Sequence, residues 1–173
     1  MALGHVGRRG MKFWSGWLLA CTFSLAPILA AAQTAQNDDK VVSVASDDPD
    51  MTTAIEQARA SLDEFLAISD TPPADTDDFR LKVIVRDGDA EEHFWVMPFY
   101  RTADGFEGAL ANEPQSVHNV VNGQNITFSR DDISDWGYAR NGRQVGSFTV
   151  CVLLKKMPRE EADNYRTNYG FDC

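Results

Sequence analysis

The sequence predicts an α+β fold: an N-terminal amphipathic helix packed on a mostly antiparallel, meander-like β-sheet, with a short C-terminal helix. Three observations carry that prediction. Met51, Ala54, Ile55, Ala58, Leu62, Phe65 and Leu66 recur at three- and four-residue spacing, the period of one helix face. Residues 79–154 instead alternate apolar with polar, or run apolar in short segments, as strands do. Asp87-Gly88-Asp89, Ala103-Asp104-Gly105 and Asn141-Gly142 punctuate those segments with the chemistry of tight turns, so successive strands should pair antiparallel.

The first 32 residues stand outside this fold. His5, Arg8, Arg9 and Lys12 make a basic start, residues 13–29 are apolar, and Ala30-Ala31-Ala32 fits a small-residue cleavage site, so residues 1–32 read as a signal peptide. The apolar run is too short, and too interrupted by Ser15, Gly16 and Pro27, for a membrane span. Met11 is an equally good start, because Lys12 and the run behind it form a signal by themselves. Leu18-Leu19-Ala20-Cys21 offers another route, a lipobox that would anchor the chain through a lipidated Cys21, although the run continues past it instead of turning polar. Arg8-Arg9 lacks the downstream context of a twin-arginine signal. The expected location is periplasmic or secreted, with a lipid anchor at Cys21 as the alternative and no integral membrane span after cleavage.

Charge narrows the partners. None of the 26 acidic residues and three of the 16 basic ones lie in the first 32, so residues 33–173 carry a formal charge of −13. Such a surface repels phosphate backbones and anionic headgroups, which argues against nucleic acid and against electrostatic membrane binding. Cleavage leaves Cys151 and Cys173, an even count that suggests a disulfide in an oxidising compartment. A buried free Cys151 and a dangling terminal thiol are the other reading. No CxxC motif is present, so thiol-exchange catalysis is not expected.

Residues 33–50 form a polar N-terminal segment, with Val41-Val42-Ser43-Val44 as a marginal edge strand. Asp48 suits the N-cap of the helix that follows and Pro49 its first position, while early acids complement the helix dipole. Ser69 to Asp78 is a Pro-rich acidic linker. A strand at Phe79–Arg86 precedes Glu91–Tyr100, which is apolar on both faces, as for a central strand covered from two sides. Pro98 should end its ladder or mark a bulge. Strands at Phe106–Leu110 and Gln124–Phe128 flank a long loop, and a second helix starts at Pro158 with Ala162, Tyr165 and Tyr169 as its inner face. Residues 51–169 therefore read as a single domain with a short tail at 170–173, and no internal repeat is visible.

Residues 131–146 concentrate the most features. Asp131, Asp132, Ser134 and Asp135 favour turns and caps. Asn141-Gly142 supplies the two positive-φ positions of a type I′ turn joining strands at Trp136–Arg140 and Arg143–Leu154.

The landmarks in order are the helix AIEQARASLDEF, EHFWV at Glu92–Val96, GALANEP at Gly108–Pro114, GQNITF at Gly123–Phe128, ISDWGY at Ile133–Tyr138 and NGRQVGSFT at Asn141–Thr149. Together they resemble the YegJ-like family of bacterial proteins, a domain of unknown function often found in small exported proteins. The resemblance covers Met51 to Ala162 and implies export, but it implies no activity. Gly137 stands where a bulkier residue is expected, and Cys151 where a polar or basic one is expected. A Cys151–Cys173 bridge would thus be particular to this chain.

Chemistry is sparse. GxSxG, SxxK, P-loop and dinucleotide motifs are absent, as are HxH, HExxH and any Cys/His cluster, so neither a cofactor nor a metal is expected. His93 alternates with Trp95, Met97 and Phe99, and reads first as a partly buried sheet residue hydrogen-bonded to a carboxylate or carbonyl. The functional alternatives are a general base, a recognition donor or a metal ligand. Asp131, Asp132 and Asp135 lack calcium-loop spacing and suit turn capping better than acid–base work. Trp136 and Tyr138 fit the core or an aromatic rim. Asn112 would orient its loop. The sequence assigns no activity, and the reading it supports is a non-enzymatic binding module of the cell envelope, with an unspecified protein or small-molecule partner. Its working face would join Glu92, His93, Trp95, Asn112, Asp131, Asp135, Trp136 and Tyr138. The alternative is a small hydrolase using His93 with Asp131, Asp132 or Asp135.

Overall fold

The computed structural model describes residues 48–173. The expected signal peptide, the alternative anchor at Cys21 and the segment up to residue 47 lie outside the described residues.

Asp48 caps the first helix as its context predicts, its carboxylate accepting from the amides of Asp50 at 3.0 Å and Met51 at 3.2 Å. Pro49 takes the first helical position, where a missing N–H costs nothing. The apolar period then runs through two helices instead of one, α1 at Pro49–Ala60 and α2 at Leu62–Asp70, broken at Ser61. Just before the break the Ala58 carbonyl accepts the Trp136 indole N–H at 2.9 Å, which fastens the helix pair to the sheet.

Six strands follow: β1 Thr76–Asp87, β2 Ala90–Arg101, β3 Phe106–Leu110, β4 Asn125–Phe128, β5 Ile133–Arg140 and β6 Arg143–Gly146. Their spatial order is β4-β3-β2-β1-β5-β6, and every neighbouring pair is antiparallel. The first four strands make the expected meander. After β4 the chain returns, through a 3₁₀ turn at Arg130–Asp132, to place β5 against the open side of β1. Asn141 at φ 52° and Gly142 at φ 74° form the β5–β6 turn, as their sequence predicts.

Strand alternation gives the sheet two unlike faces. Leu81, Val83, Phe94, Val96, Ile133, Trp136 and Tyr138 point toward α1 and α2 and bury against Leu62, Phe65 and Leu66. Phe65 stacks on Trp136 at 4.9 Å, and Phe79 on Tyr138 at 5.1 Å. Each fully buried side chain of this kind contributes about 1.5–3 kcal/mol. The far face carries Arg80, Lys82 and Ile84 of β1, His93 and Trp95 of β2, and Asp135 and Gly137 of β5. It is less covered than the apolar composition of β2 suggests. Phe94 and Val96 are sealed on the near side, whereas His93 and Trp95 are half-buried and Met97 is exposed.

One expected element is different. The segment expected to continue as a strand to Leu154 leaves the sheet at Gly146 and becomes α3, Phe148–Lys156. Gly146 at φ 77° and Ser147 at φ 54° turn the chain out of the ladder. A short apolar run such as Val145-to-Leu154 fits a strand or a buried helix equally well by pattern. Here the deciding contact is a remote one, described below. A fourth helix, α4, spans Arg159–Tyr169 close to its expected start. Ala162 is buried against Leu154 and Phe171, but Tyr169 of its expected inner face is 57% exposed. Cys151 and Cys173 are joined by a disulfide with Cα atoms 5.5 Å apart. Among the described residues no helix is long and apolar enough to cross a membrane.

The bridge closes a segment of 22 residues, which in the chain-entropy model is worth about 3 kcal/mol. Reduction, or Cys151→Ser, is therefore expected to lower the calorimetric midpoint by roughly 10 °C. Oxidised and reduced protein melting together would show that the bridge contributes nothing.

Candidate functional site

The far face is organised around Asp135, whose residue exposure is 0%. Its carboxylate accepts from the Trp136 amide at 2.8 Å, the Phe148 amide at 3.2 Å, the Thr149 amide at 2.8 Å and the Thr149 hydroxyl at 2.6 Å. Ser147, at the formal N-cap of α3, makes no side-chain cap bond. A carboxylate from β5 does that work instead and sits at the positive end of α3. Burial pushes the Asp135 pKa up, against the pull of the Thr149 hydrogen bonds and the Lys82 charge.

Lys82 Nζ donates to Thr149 Oγ1 at 3.0 Å, extending the chain to Asp135, and burial pushes its pKa down against the Asp135 charge. Arg80 donates to Gln144 Oε1 at 2.5 Å and to Ser147 Oγ at 3.1 Å, and burial lowers its pKa too. The Trp95 ring lies against both cations, 4.9 Å from the Arg80 guanidinium carbon and 5.4 Å from Lys82 Nζ. Register places Trp95, Lys82 and Asp135 in one cross-strand row. Arg80 fits because residue 137 is glycine: a Cβ there would stand 2.5 Å from Ser147 Oγ and 3.1 Å from the Arg80 guanidinium. That is the physical reason for the small residue at this position.

His93 borders the row. Its Nδ1 lies 2.8 Å from Ser134 Oγ, and Ser134 donates onward to the Lys82 carbonyl at 3.3 Å, which makes Nδ1–H the donor to Ser134. Burial and then the Lys82 charge lower the His93 pKa from its ordinary 6.5. The carboxylate facing its Nε2 is Glu91, at 3.7 Å.

Of the residues singled out in the sequence, the structure therefore brings together His93, Trp95 and Asp135. The others serve different places. Glu92 accepts from the amides of Gln115, Ser116 and Val117 and folds the loop that follows β3. Asn112 Oδ1 accepts the Trp95 amide at 2.8 Å, just past the end of β3, and so ties the start of the following loop to β2. Asp131 offers its carbonyl to Arg59 at 2.9 Å. Burial raises Asp132, but hydrogen bonds from Ser129 and Arg86 prevail and hold its carboxyl below the ordinary range. Trp136 and Tyr138 belong to the core on the helix side. Sequence reasoning missed Arg80 and Lys82, which alternate with apolar residues and so read as the solvated side of a strand. No signal within the sequence marks them, because their role depends on strand register. Among the described residues no group of three or more His, Cys, Asp or Glu is placed to hold a metal.

A family described as "Uncharacterized protein conserved in bacteria (DUF2314)" matches residues 48–173. The chain is 36% identical over 128 residues to "Uncharacterized protein YegJ" of Escherichia coli (strain K12), covering 74% of this chain and 82% of that protein. It is 35% identical over 86 residues to a putative ankyrin repeat protein of Neisseria meningitidis serogroup B, covering 50% of this chain and 34% of that protein. This chain thus spans about a third of the latter protein's length. No solved structure matches.

Asp135→Asn turns one of two acceptor oxygens into a donor facing the Thr149 donors. It is expected to cost about 2 kcal/mol or more in urea unfolding. An unchanged unfolding midpoint would mean that α3 does not depend on this cap. For His93 the folded state favours the neutral ring, so its contribution is present above pH 6.5 and fades as pH falls below it. The melting-temperature advantage of wild type over His93→Gln should accordingly shrink between about pH 7.5 and about pH 5. An advantage that grows on acidification would reverse the assignment.

Proposed function

We propose, on the premise that this chain belongs to the DUF2314 family, that it is a non-enzymatic binding module of the bacterial cell envelope. Its working surface is the far face of the sheet around Trp95, and residues 51–169 act as one domain. The observation that carries this reading is a pair of cations without a direct ion-pair partner. Arg80 and Lys82 form no ion pair with any described carboxylate within 4.0 Å, although eight other described cations do. Asp135 acts on both cations from within its engaged hydrogen bonds and Asp78 acts on Arg80 from a distance, but neither carboxylate closes an ion pair with them. A half-buried indole on two such cations fits a partner presenting a planar monoanion, such as a carboxylate on an aromatic or amide group.

The −13 charge of residues 33–173 does not forbid this. At physiological salt the screening length is about 8 Å, so acidic residues elsewhere on the surface are largely screened at Trp95. The disulfide supports an oxidising compartment, and with it the envelope location. The hydrolase alternative gains less support. His93 faces Ser134 and Glu91, Asp135 is committed to α3, and Asp132 is tied to Ser129 and Arg86.

Benzoate and its neutral isostere benzamide test the reading. Benzoate should shift the Trp95 indole resonance of the full chain saturably, with benzamide at least about tenfold weaker, a difference of about 1.4 kcal/mol. Lys82→Met and Trp95→Ala should each weaken benzoate by a similar factor, and added salt should weaken it further. Equal binding of the two ligands, or no saturable shift with benzoate, would rule the surface out as an anion site.

A further inference from the structure

The two cations beside Trp95 are held by segments that one covalent bond joins. Lys82 is held by Thr149 on α3, and Cys151 follows on the same helix. Arg80 is held by the Gln144 side chain on β6, and the Gln144 amide donates to the Gly170 carbonyl at 3.0 Å. Cys173 ends the short tail that begins at Gly170. The Cys151–Cys173 bridge therefore closes a ring of contacts from Lys82 through α3 and the tail to β6 and Arg80. β6 is an edge strand of four residues, and its outer side has no neighbouring strand, only the tail. The tail sits closely there: Gly170 takes φ 78°, and a Cβ on it would collide with the Gly142 carbonyl in the β5–β6 turn. Arg143 of β6 also pairs with Asp172, but an exposed pair of that kind holds little by itself. Phe171 packs with Leu154 and Ala162, on α3 and α4 and away from β6. The bridge is thus the strongest fastening between the tail and the segments that carry both cations.

We propose that the Cys151–Cys173 bridge is a redox switch for the far face: oxidised, it holds Arg80 and Lys82 beside Trp95, and reduced, it frees the tail and β6 and weakens the anion site. The inference rests on the far-face reading for its ligand, and on the contacts above for its mechanism. Neither cysteine is fully buried, which leaves the bridge open to a thiolate. The step is exchange with a dithiol. One thiolate attacks a bridge sulfur to form a mixed disulfide, and the second thiol of the pair then displaces the cysteine. Two electrons and two protons pass to Cys151 and Cys173, which end as thiols, while the dithiol ends as a disulfide. The freed tail regains conformational entropy, and Gln144 loses Gly170 as a fixed acceptor. Arg80 then keeps only the Ser147 hydroxyl and the Asp78 carbonyl as secure partners.

Two readouts on the full chain separate the switch from the anion site itself. The first is hydrogen exchange of the Gln144 amide, which needs no ligand. Reduction with dithiothreitol should speed it at least about tenfold, at a temperature where the native spectrum persists. The double variant Cys151→Ser/Cys173→Ser should behave as the reduced protein does. The second readout is benzoate, followed at the Trp95 indole. Its affinity should fall at least about fivefold on reduction and return on reoxidation. Gln144→Met removes the Arg80 contact but keeps the backbone bond to Gly170, so this variant should bind benzoate weakly and with a smaller redox dependence. Unchanged Gln144 exchange in both the reduced protein and the double variant would overturn the switch. Faster exchange with unchanged benzoate affinity would overturn it too, since the tail would then move without reaching the site. Absence of benzoate binding to the oxidised protein would overturn the far-face reading, and the switch with it.

Discussion

The carboxylate of Asp135 is the contact on which the other parts depend. It takes the place of an N-cap for α3, and so decides that the chain after Gly146 is a helix and not a longer strand. That helix carries Cys151 to the C-terminal tail, and the small cluster of Leu154, Ala162 and Phe171 packs under it. The neighbouring residue points the other way. Trp136 stacks on Phe65 and donates to the Ala58 carbonyl at the break between α1 and α2. Two adjacent residues on β5 therefore fix the helices on the near face and the helix that leaves the sheet edge. Burying a carboxylate is costly unless it is fully hydrogen-bonded. Here three amides, a hydroxyl and the nearby field of Lys82 offset that cost.

What the sequence makes legible is what neighbours in the chain decide. Asp48 and Pro49 announce α1 because cap and helix lie within four residues. Asn141-Gly142 announces a hairpin because the turn's two dihedrals belong to those two residues. The antiparallel pairing follows from such turns. By contrast α3 is hidden, since its capping group comes from β5, thirteen residues before Phe148. The helix break at Ser61 is hidden too, because the apolar period continues across it while Trp136 reaches in from another element.

The candidate site shows the same limit. His93, Trp95 and Asp135 could be singled out by residue type, and pairing register puts Trp95 and Asp135 on either side of Lys82. Glu92 and Asn112 drew notice for the same reasons, yet each serves backbone amides of its own neighbourhood. Lys82 and Arg80 drew none, because a cation alternating with Leu81 and Val83 looks like an ordinary solvated position. Only the register reveals that their side chains lie under Trp95 and beside the start of α3.

Gly137 bears on whether that pair of cations is incidental. A residue in the middle of a strand loses packing and gains backbone entropy cost when it is glycine, roughly 0.5–1 kcal/mol against alanine. Gly137 is in ordinary strand backbone and not at a positive φ, so no turn requires it. What requires it is space: Ser147 Oγ and the Arg80 guanidinium occupy the volume of a side chain. The fold thus gives up strand stability at its most buried strand to hold Arg80 against Gln144 and Ser147. A solvated surface arginine would need no such accommodation. The placement of positive charge beneath Trp95 is therefore built into the backbone of β5, and the sheet's far face is shaped around it.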